Sequence, residues 1–179
     1  LSITLYSQKL PEGFVYLETI DGSIQKELRY FSCNNFIGKK IDGYKNDTII
    51  ISKKAALQLQ GVQIELKTNH LSLKIFDAYR PQQAVNHFVK WAKVLSDTLM
   101  KKDYYPDVKK SELFEKGYIA SKSGHTRGST VDLTIINKIS GIELNMGSPY
   151  DFFGVESHPY YKEITKTVLK EYGNMSSAT

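Results

Sequence analysis

One stretch, residues 121–136, constrains the fold of this chain more than any other, and it reads SKSGHTRGSTVDLTII. Its second half alternates like a half-buried strand, with Val131, Leu133 and Ile135 predicted to point to one face. Asp132 then points to the opposite face, in the middle of the strand. A carboxylate there is costly to bury unless it is paired or holds a cation. The strand therefore predicts a partner for Asp132.

His125 precedes this strand, in a turn that Gly124 and Gly128 would build. An imidazole and a carboxylate brought together by a loop and a strand supply two of the three protein ligands common in catalytic zinc sites. A second interpretation stays open, because a strand-borne aspartate can instead cap a neighbouring turn. The spacing alone thus indicates a candidate metal site without establishing one.

Several motifs together resemble a known family. Residues 123–132, SGHTRGSTVD, are similar to the SxHxxGxAxD signature of zinc D,D-peptidases, with Thr130 where that family usually has alanine. Further stretches resemble the D-alanyl-D-alanine dipeptidase branch of these enzymes. They occur in the same order between about residues 16 and 158, and they are LRYFSCNNF at 28–36, IDGY at 41–44, DAYRP at 77–81, NMG at 145–147 and YDF at 150–152.

This resemblance implies a fold and an activity for residues 1–179 as a single domain. The implied fold is α+β, a small antiparallel sheet with helices packed on it, as in zinc D,D-peptidases and hedgehog-like domains. The implied reaction is the Zn²⁺-dependent hydrolysis of D-alanyl-D-alanine to two D-alanines, which affects cell-wall precursor supply or turnover. The implied partner is thus a small dipeptide, and the implied location is the bacterial cytoplasm, or the periplasm for a processed form.

The resemblance also implies roles for individual residues. His125 and Asp132 would be metal ligands, and Arg80 would stabilise negative charge that develops on the substrate. The residues expected to bind the substrate, or to orient the groups that do, are Ser123, Tyr30, Phe36 and Asp77.

Each of the supporting residues also has an ordinary structural interpretation. Arg80 could cap a helix start, although a positive charge is unfavourable at a helix N-terminus. Ser123 and Asp77 could be turn or capping residues. Tyr30 and Phe36 could be core aromatics, since aromatic side chains mostly serve burial.

The main departure from the family lies near the C-terminal end. The family places its general base and third metal ligand in a Glu-x-x-His segment, and that spacing does not occur in the 179 residues. Glu156 and His158 are one residue too close, and we expect His158 to be a loop or cleft-edge residue. Either a missing strand completes the site, or the chain is a two-ligand remnant. Asn145, where the family usually has aspartate, weakens the predicted recognition of a substrate amine.

Two other functions share these motifs. An inactive homologue could bind a D-amino-acid peptide or a protein partner, as the missing glutamate and histidine would favour. A D,D- or L,D-carboxypeptidase acting on peptidoglycan would share the SxHxxGxAxD signature, but the stretches at 28–44 and 77–81 argue against it.

Charge and composition exclude several other classes. The net charge of +5 is spread along the chain as isolated lysine pairs, so nucleic-acid binding is not predicted. No apolar stretch approaches the ~20 residues that a membrane helix needs. The single Cys33 excludes an internal disulfide and a thiolate-rich zinc site.

Hydrophobic periodicity predicts the main elements. Residues 14–17 and 71–76 read as strands, and Ser52 is a good N-cap for a helix over about 53–67. The apolar positions of a long second helix run from residue 84 to residue 99. Residues 101–120 read as a polar surface loop or short helical turn, and a last amphipathic helix is predicted over 160–172.

Overall fold

Ser52 begins the first helix, as the sequence predicts. In the computed structural model, which describes residues 10–158 and residue 161, helix α1 spans Lys53–Lys67. The Ser52 hydroxyl accepts a hydrogen bond from the amide of Ala55 at 3.4 Å. This bond satisfies one of the amides that a helix start leaves without a partner. The predicted helix over about 53–67 is therefore confirmed.

Within residues 10–158, five short strands form two small sheets. The strands are β1 (Phe14–Tyr16), β2 (Gln25–Lys26), β3 (Ile50–Ser52), β4 (Leu71–Asp77) and β5 (Asp132–Asn137). β1 pairs antiparallel with β3, and the other sheet has the order β2-β4-β5. β4 and β5 are antiparallel, whereas the two-residue β2 runs parallel to β4. The α+β class is confirmed, and this sheet is mixed where β2 joins it.

β4 is the central strand, and almost all of it is buried. Leu73 and Ile75 pack with Ile51 and Ala56 in one hydrophobic cluster, which joins the two sheets to α1. Leu71, Leu73 and Ile75 alternate with Ser72 and Lys74, and this period of two is the pattern that predicted a strand over residues 71–76. This buried strand ends at the candidate site.

A second cluster is mostly aromatic and surrounds helix α2, which spans Gln82–Lys93. Phe88 and Trp91 face into it. The prediction that this helix continues to Leu99 is wrong: α2 ends at Lys93, and Leu99 is 66% exposed. The ammonium group of Lys110 donates to the carbonyls of Val94 and Asp97 just beyond the helix. A distant lysine thus satisfies groups that a longer helix would have paired internally.

Residues 101–120 are more buried than the predicted surface loop. They contain a short helix, α3 (Lys101–Tyr104), followed by turns. Tyr105 and Leu113 are completely buried in the aromatic cluster. The ammonium group of Lys101 donates to three carbonyls of this segment, at 2.6–3.0 Å. The buried residues of this segment are irregularly spaced, so hydrophobic periodicity does not predict their burial.

The predicted helix over 160–172 lies outside the described residues. Within the part of the chain that the structure describes, none of the helices is long and apolar enough to cross a membrane.

Candidate metal centre

The candidate site lies where the end of β4 meets the start of β5. Antiparallel pairing places Asp77 opposite Asp132, after an irregularity in the register beyond Ile75. Two carboxylates from distant parts of the sequence therefore lie side by side. Like charges this close destabilise each other unless cationic groups lie between them. The surrounding residues supply such groups.

His125 is held by a short turn with a defined start and end. Ser123 caps it, because the Ser123 hydroxyl accepts a hydrogen bond from the His125 amide at 3.3 Å. Gly128 ends it in the left-handed conformation, with φ of 72°, and its amide donates to the His125 carbonyl at 2.8 Å. Ser123 is therefore the capping residue that the sequence allowed, and it is half-buried beside the site.

The imidazole of His125 is oriented by the backbone of β4's end. Its Nδ1 lies 2.9 Å from the carbonyl oxygen of Ala78. When Nδ1 carries the proton and donates to that oxygen, Nε2 is left with a lone pair for a metal. Nε2 lies 3.3 Å from Oδ1 of Asp132. Burial would lower the pKa of His125, but the adjacent Asp132 carboxylate outweighs it and raises that pKa.

This geometry fits a divalent ion. Among the residues that the structure describes, Asp77, His125 and Asp132 form a group whose potential ligand atoms lie within 4.8 Å of one another. Two ligands of a tetrahedral zinc ion, each about 2.05 Å from the metal, are about 3.3 Å apart. That is the distance between His125 Nε2 and Asp132 Oδ1. These two residues therefore fit the pair of ligands that the sequence predicts.

Asp77 is completely buried, and both of its oxygens have partners. Oδ1 accepts a hydrogen bond from the Tyr44 hydroxyl at 2.7 Å, and Oδ2 accepts one from Arg80 Nε at 2.8 Å. Burial raises the pKa of Asp77, and the Arg80 charge opposes that rise. With no exposed surface, Asp77 is placed to orient Arg80 and not to contact a substrate directly.

Arg80 connects the two carboxylates. Its Nη2 donates to Oδ2 of Asp132 at 3.2 Å, in addition to the bond from Nε to Asp77. The guanidinium carbon lies 5.1 Å from the centre of the Tyr30 ring and 5.4 Å from that of Phe88. Cations over aromatic faces are stabilised electrostatically. Arg80 is thus fixed beside the candidate metal ligands rather than free at the helix surface.

The two aromatic residues predicted to contact substrate lie at different depths. Tyr30 covers Arg80, and its hydroxyl donates to Oδ2 of Asp151 at 2.8 Å. Phe36 lies behind it, with its ring 5.0 Å from that of Phe88 and 5.2 Å from that of Trp91. The surroundings of Phe36 fit a core aromatic, so we assign it a packing role in place of the substrate contact.

Two neighbours from a loop, Tyr150 and Asp151, also reach the site. The Tyr150 hydroxyl donates to Oδ2 of Asp132 at 3.1 Å. Asp151 adopts a positive φ of 60°, and burial raises its pKa to about 7 despite the hydrogen bond from Tyr30. Sequence analysis assigned neither residue a role, because loop positions carry no periodicity. The only signal was the resemblance of residues 150–152 to a family segment.

The two remaining sequence candidates lie outside this group. Asn145 is exposed, and its Oδ1 accepts a hydrogen bond from the Gly147 amide in a tight turn. A different carboxylate, that of Asp151, lies beside Tyr30. His158 is exposed as well, and its Nε2 lies 3.1 Å from the hydroxyl of Tyr118.

The Gly128 turn yields a stability prediction. A Cβ at this position would lie 2.2 Å from Cε1 of Phe14, and the left-handed φ disfavours any other residue. The left-handed φ alone should make Gly128→Ala lower the free energy of unfolding in urea by about 1–3 kcal/mol. The clash with Phe14 should add to that loss. Gly117→Ala is the matched control, because φ is 77° there but nothing lies within 4 Å of the added carbon. Equal losses in both variants would show that the Phe14 contact does not matter.

Known proteins share this sequence over most of its length. A peptidase M15 family profile, described as D-ala-D-ala dipeptidase, matches residues 11–170. A D-alanyl-D-alanine dipeptidase of Enterococcus faecalis is 39% identical over 87% of this chain and 77% of its own length. One of Enterococcus faecium is 38% identical over 82% and 72%, and one of Streptomyces coelicolor is 32% identical over 86% and 76%.

Proposed function

The chain belongs to the D-alanyl-D-alanine dipeptidase family of M15 metallopeptidases, and from that premise we propose that it hydrolyses D-alanyl-D-alanine to two D-alanines. The observation that supports this most is the convergence of His125 Nε2 and Asp132 Oδ1, 3.3 Å apart, beside the guanidinium of Arg80. A peptidase of this class needs a metal and a nearby cation, and this arrangement can supply both.

We propose zinc as the metal, held by His125 and Asp132. A bound zinc ion would polarise the substrate carbonyl and lower the pKa of a water molecule. One nitrogen and one carboxylate oxygen suit zinc better than a calcium or magnesium site, which consists of oxygen ligands. The carbonyl of Ala78 keeps the imidazole in the orientation that such binding requires.

Arg80 would act on the substrate oxygen that gains negative charge as the amide bond is attacked. Its guanidinium is fixed by Asp77, which is itself fixed by Tyr44. Donors held in place before the reaction stabilise developing charge without reorganisation at the moment of reaction. Asp77 and Tyr44 would thus contribute by keeping Arg80 in position.

Asp151 would accept the N-terminal ammonium of the dipeptide. A carboxylate forms charge-assisted hydrogen bonds with an ammonium group, which are stronger than neutral ones. Its contact with Tyr30, whose ring covers Arg80, places it on the same side of the site as the guanidinium. The side chains of His125 and Arg80 are only 10% and 14% exposed, and such enclosure suits a small substrate.

The proposal is tested by incubating the chain with Zn²⁺ and D-alanyl-D-alanine, and by measuring D-alanine with D-amino-acid oxidase. We expect two D-alanines per dipeptide consumed, and none from L-alanyl-L-alanine under the same conditions. Binding of the dipeptide without cleavage would support the inactive homologue. Release of D-alanine from a cell-wall pentapeptide, but not from the dipeptide, would support a carboxypeptidase. Either result would overturn the proposal.

A further inference from the structure

Tyr150 touches the candidate metal centre but has no role in the function proposed above. Its hydroxyl donates to Oδ2 of Asp132 at 3.1 Å. Its ring is stacked on that of Phe76, with centres 4.6 Å apart and planes inclined by 21°. Phe76 belongs to β4 and is itself buried. The phenol is therefore held against the strand whose end supports the rest of the site.

The two oxygens of Asp132 have different surroundings. Oδ1 faces Nε2 of His125 at 3.3 Å. Oδ2 accepts two hydrogen bonds, one from Arg80 at 3.2 Å and one from Tyr150 at 3.1 Å. A carboxylate with one oxygen engaged by donors offers the other oxygen to a metal. The contacts thus favour binding through Oδ1 alone.

We propose that Tyr150 is a positioning residue for the metal ligand Asp132. Its hydroxyl holds Oδ2, so that Oδ1 is presented to the ion next to His125. The inference rests on the proposed function, because it requires a metal at this centre. It adds a second support for the carboxylate, and this support does not depend on Arg80.

The need for a second donor follows from the role of Arg80. From its fixed position, the guanidinium would divide its donors among Asp77, Asp132 and the substrate oxygen. Tyr150 has no such second task, and its ring is fixed by Phe76. As a neutral donor, the phenol also leaves the negative charge of the carboxylate available to the ion. Asp132 therefore keeps a partner on Oδ2 throughout the reaction.

Tyr150→Phe tests this proposal, because it removes the hydroxyl and keeps the stacked ring. The probe is Co²⁺, whose visible absorption reports the number and arrangement of its ligands. We expect about 10-fold weaker Co²⁺ binding, measured by competition with a chelator, since partners that orient metal ligands typically contribute that much. We also expect a changed absorption spectrum, because Oδ2 of Asp132 loses one of its two donors and can approach the ion more closely.

Tyr118→Phe is the matched control. Its ring is likewise stacked, on Phe153 at 5.1 Å and 21°, and its hydroxyl contacts His158 outside the metal group. This variant should bind Co²⁺ as the unmodified chain does, with the same spectrum. Thermal unfolding of both variants shows that each one is folded at the temperature of the titration.

Two outcomes would overturn the inference, and they differ in what else they remove. If the unmodified chain and Tyr150→Phe bind Co²⁺ with equal affinity and the same spectrum, Tyr150 has no positioning role and the proposed function stands. If neither binds Co²⁺, the metal centre itself is wrong, and both proposals fail together.

Discussion

Replacing His125 by alanine should weaken Zn²⁺ binding by more than about 100-fold and should remove hydrolysis of D-alanyl-D-alanine. Loss of a group that merely orients a metal ligand costs up to about 100-fold in affinity, so loss of a ligand should cost more. We expect this large loss of affinity because Nε2 of His125 is directed at Asp132, while its Nδ1 is held by the backbone. Competition with a zinc chelator measures the affinity.

His158→Ala is the control for this prediction. His158 is exposed and contacts Tyr118, outside the group of potential ligands. Its replacement should leave Zn²⁺ affinity and dipeptide hydrolysis unchanged. Should His158→Ala lose zinc as His125→Ala does, the assignment of ligands would be wrong, and the Glu156 to His158 segment would have to be reconsidered as part of the centre.

Arg80→Ala has the second large expected effect, a fall of about 10²–10³-fold in kcat for D-alanyl-D-alanine. That is the usual effect of removing one donor that stabilises developing negative charge. Zn²⁺ affinity should change far less, because Tyr150 still donates to Asp132. Steady-state kinetics at saturating zinc, together with the chelator competition, separates these two quantities.

Arg80→Ala also removes the cation next to a completely buried carboxylate. Of its side-chain partners among residues 10–158, Asp77 would keep the hydrogen bond from Tyr44 and the contact with His125. Breaking a buried ion pair from one side typically costs about 3–5 kcal/mol, so urea unfolding has to accompany the kinetics. Arg80→Lys is the control, because it keeps a charge near Asp77 but cannot bridge two carboxylates. Unchanged kcat in both variants would remove Arg80 from the mechanism.

The elements that the sequence predicted well are those whose pattern is local. The apolar spacing of α1, with Ser52 before it, and the alternating apolar positions of β4 are complete within their own residues. The end of α2 was not predictable in this way. Beyond that end, the carbonyls of Val94 and Asp97 accept hydrogen bonds from the ammonium group of Lys110, which comes from a later segment. No window around residues 93–99 contains that information.

The candidate site, too, was predictable from the sequence only in part. The resemblance predicted that His125, Asp132 and Arg80 act together, and the structure brings these side chains into contact. It did not reveal that Asp77 is closed off by two hydrogen bonds, because burial depends on how the 41–44 segment packs. Nor did it identify Tyr150, whose contact with Asp132 comes from a loop that follows β5.

The short segment at the end of β4 has a consequence for how this pocket could diversify. Asp77, the carbonyl of Ala78 and Arg80 all come from residues 77–80, and together they orient the imidazole and the guanidinium. A small displacement of that backbone would carry all three as a unit and preserve their spacing. Tyr30 reaches the pocket from a separate segment, so a substitution there would change the cover over Arg80 and the partner of Asp151 without altering the 77–80 segment itself.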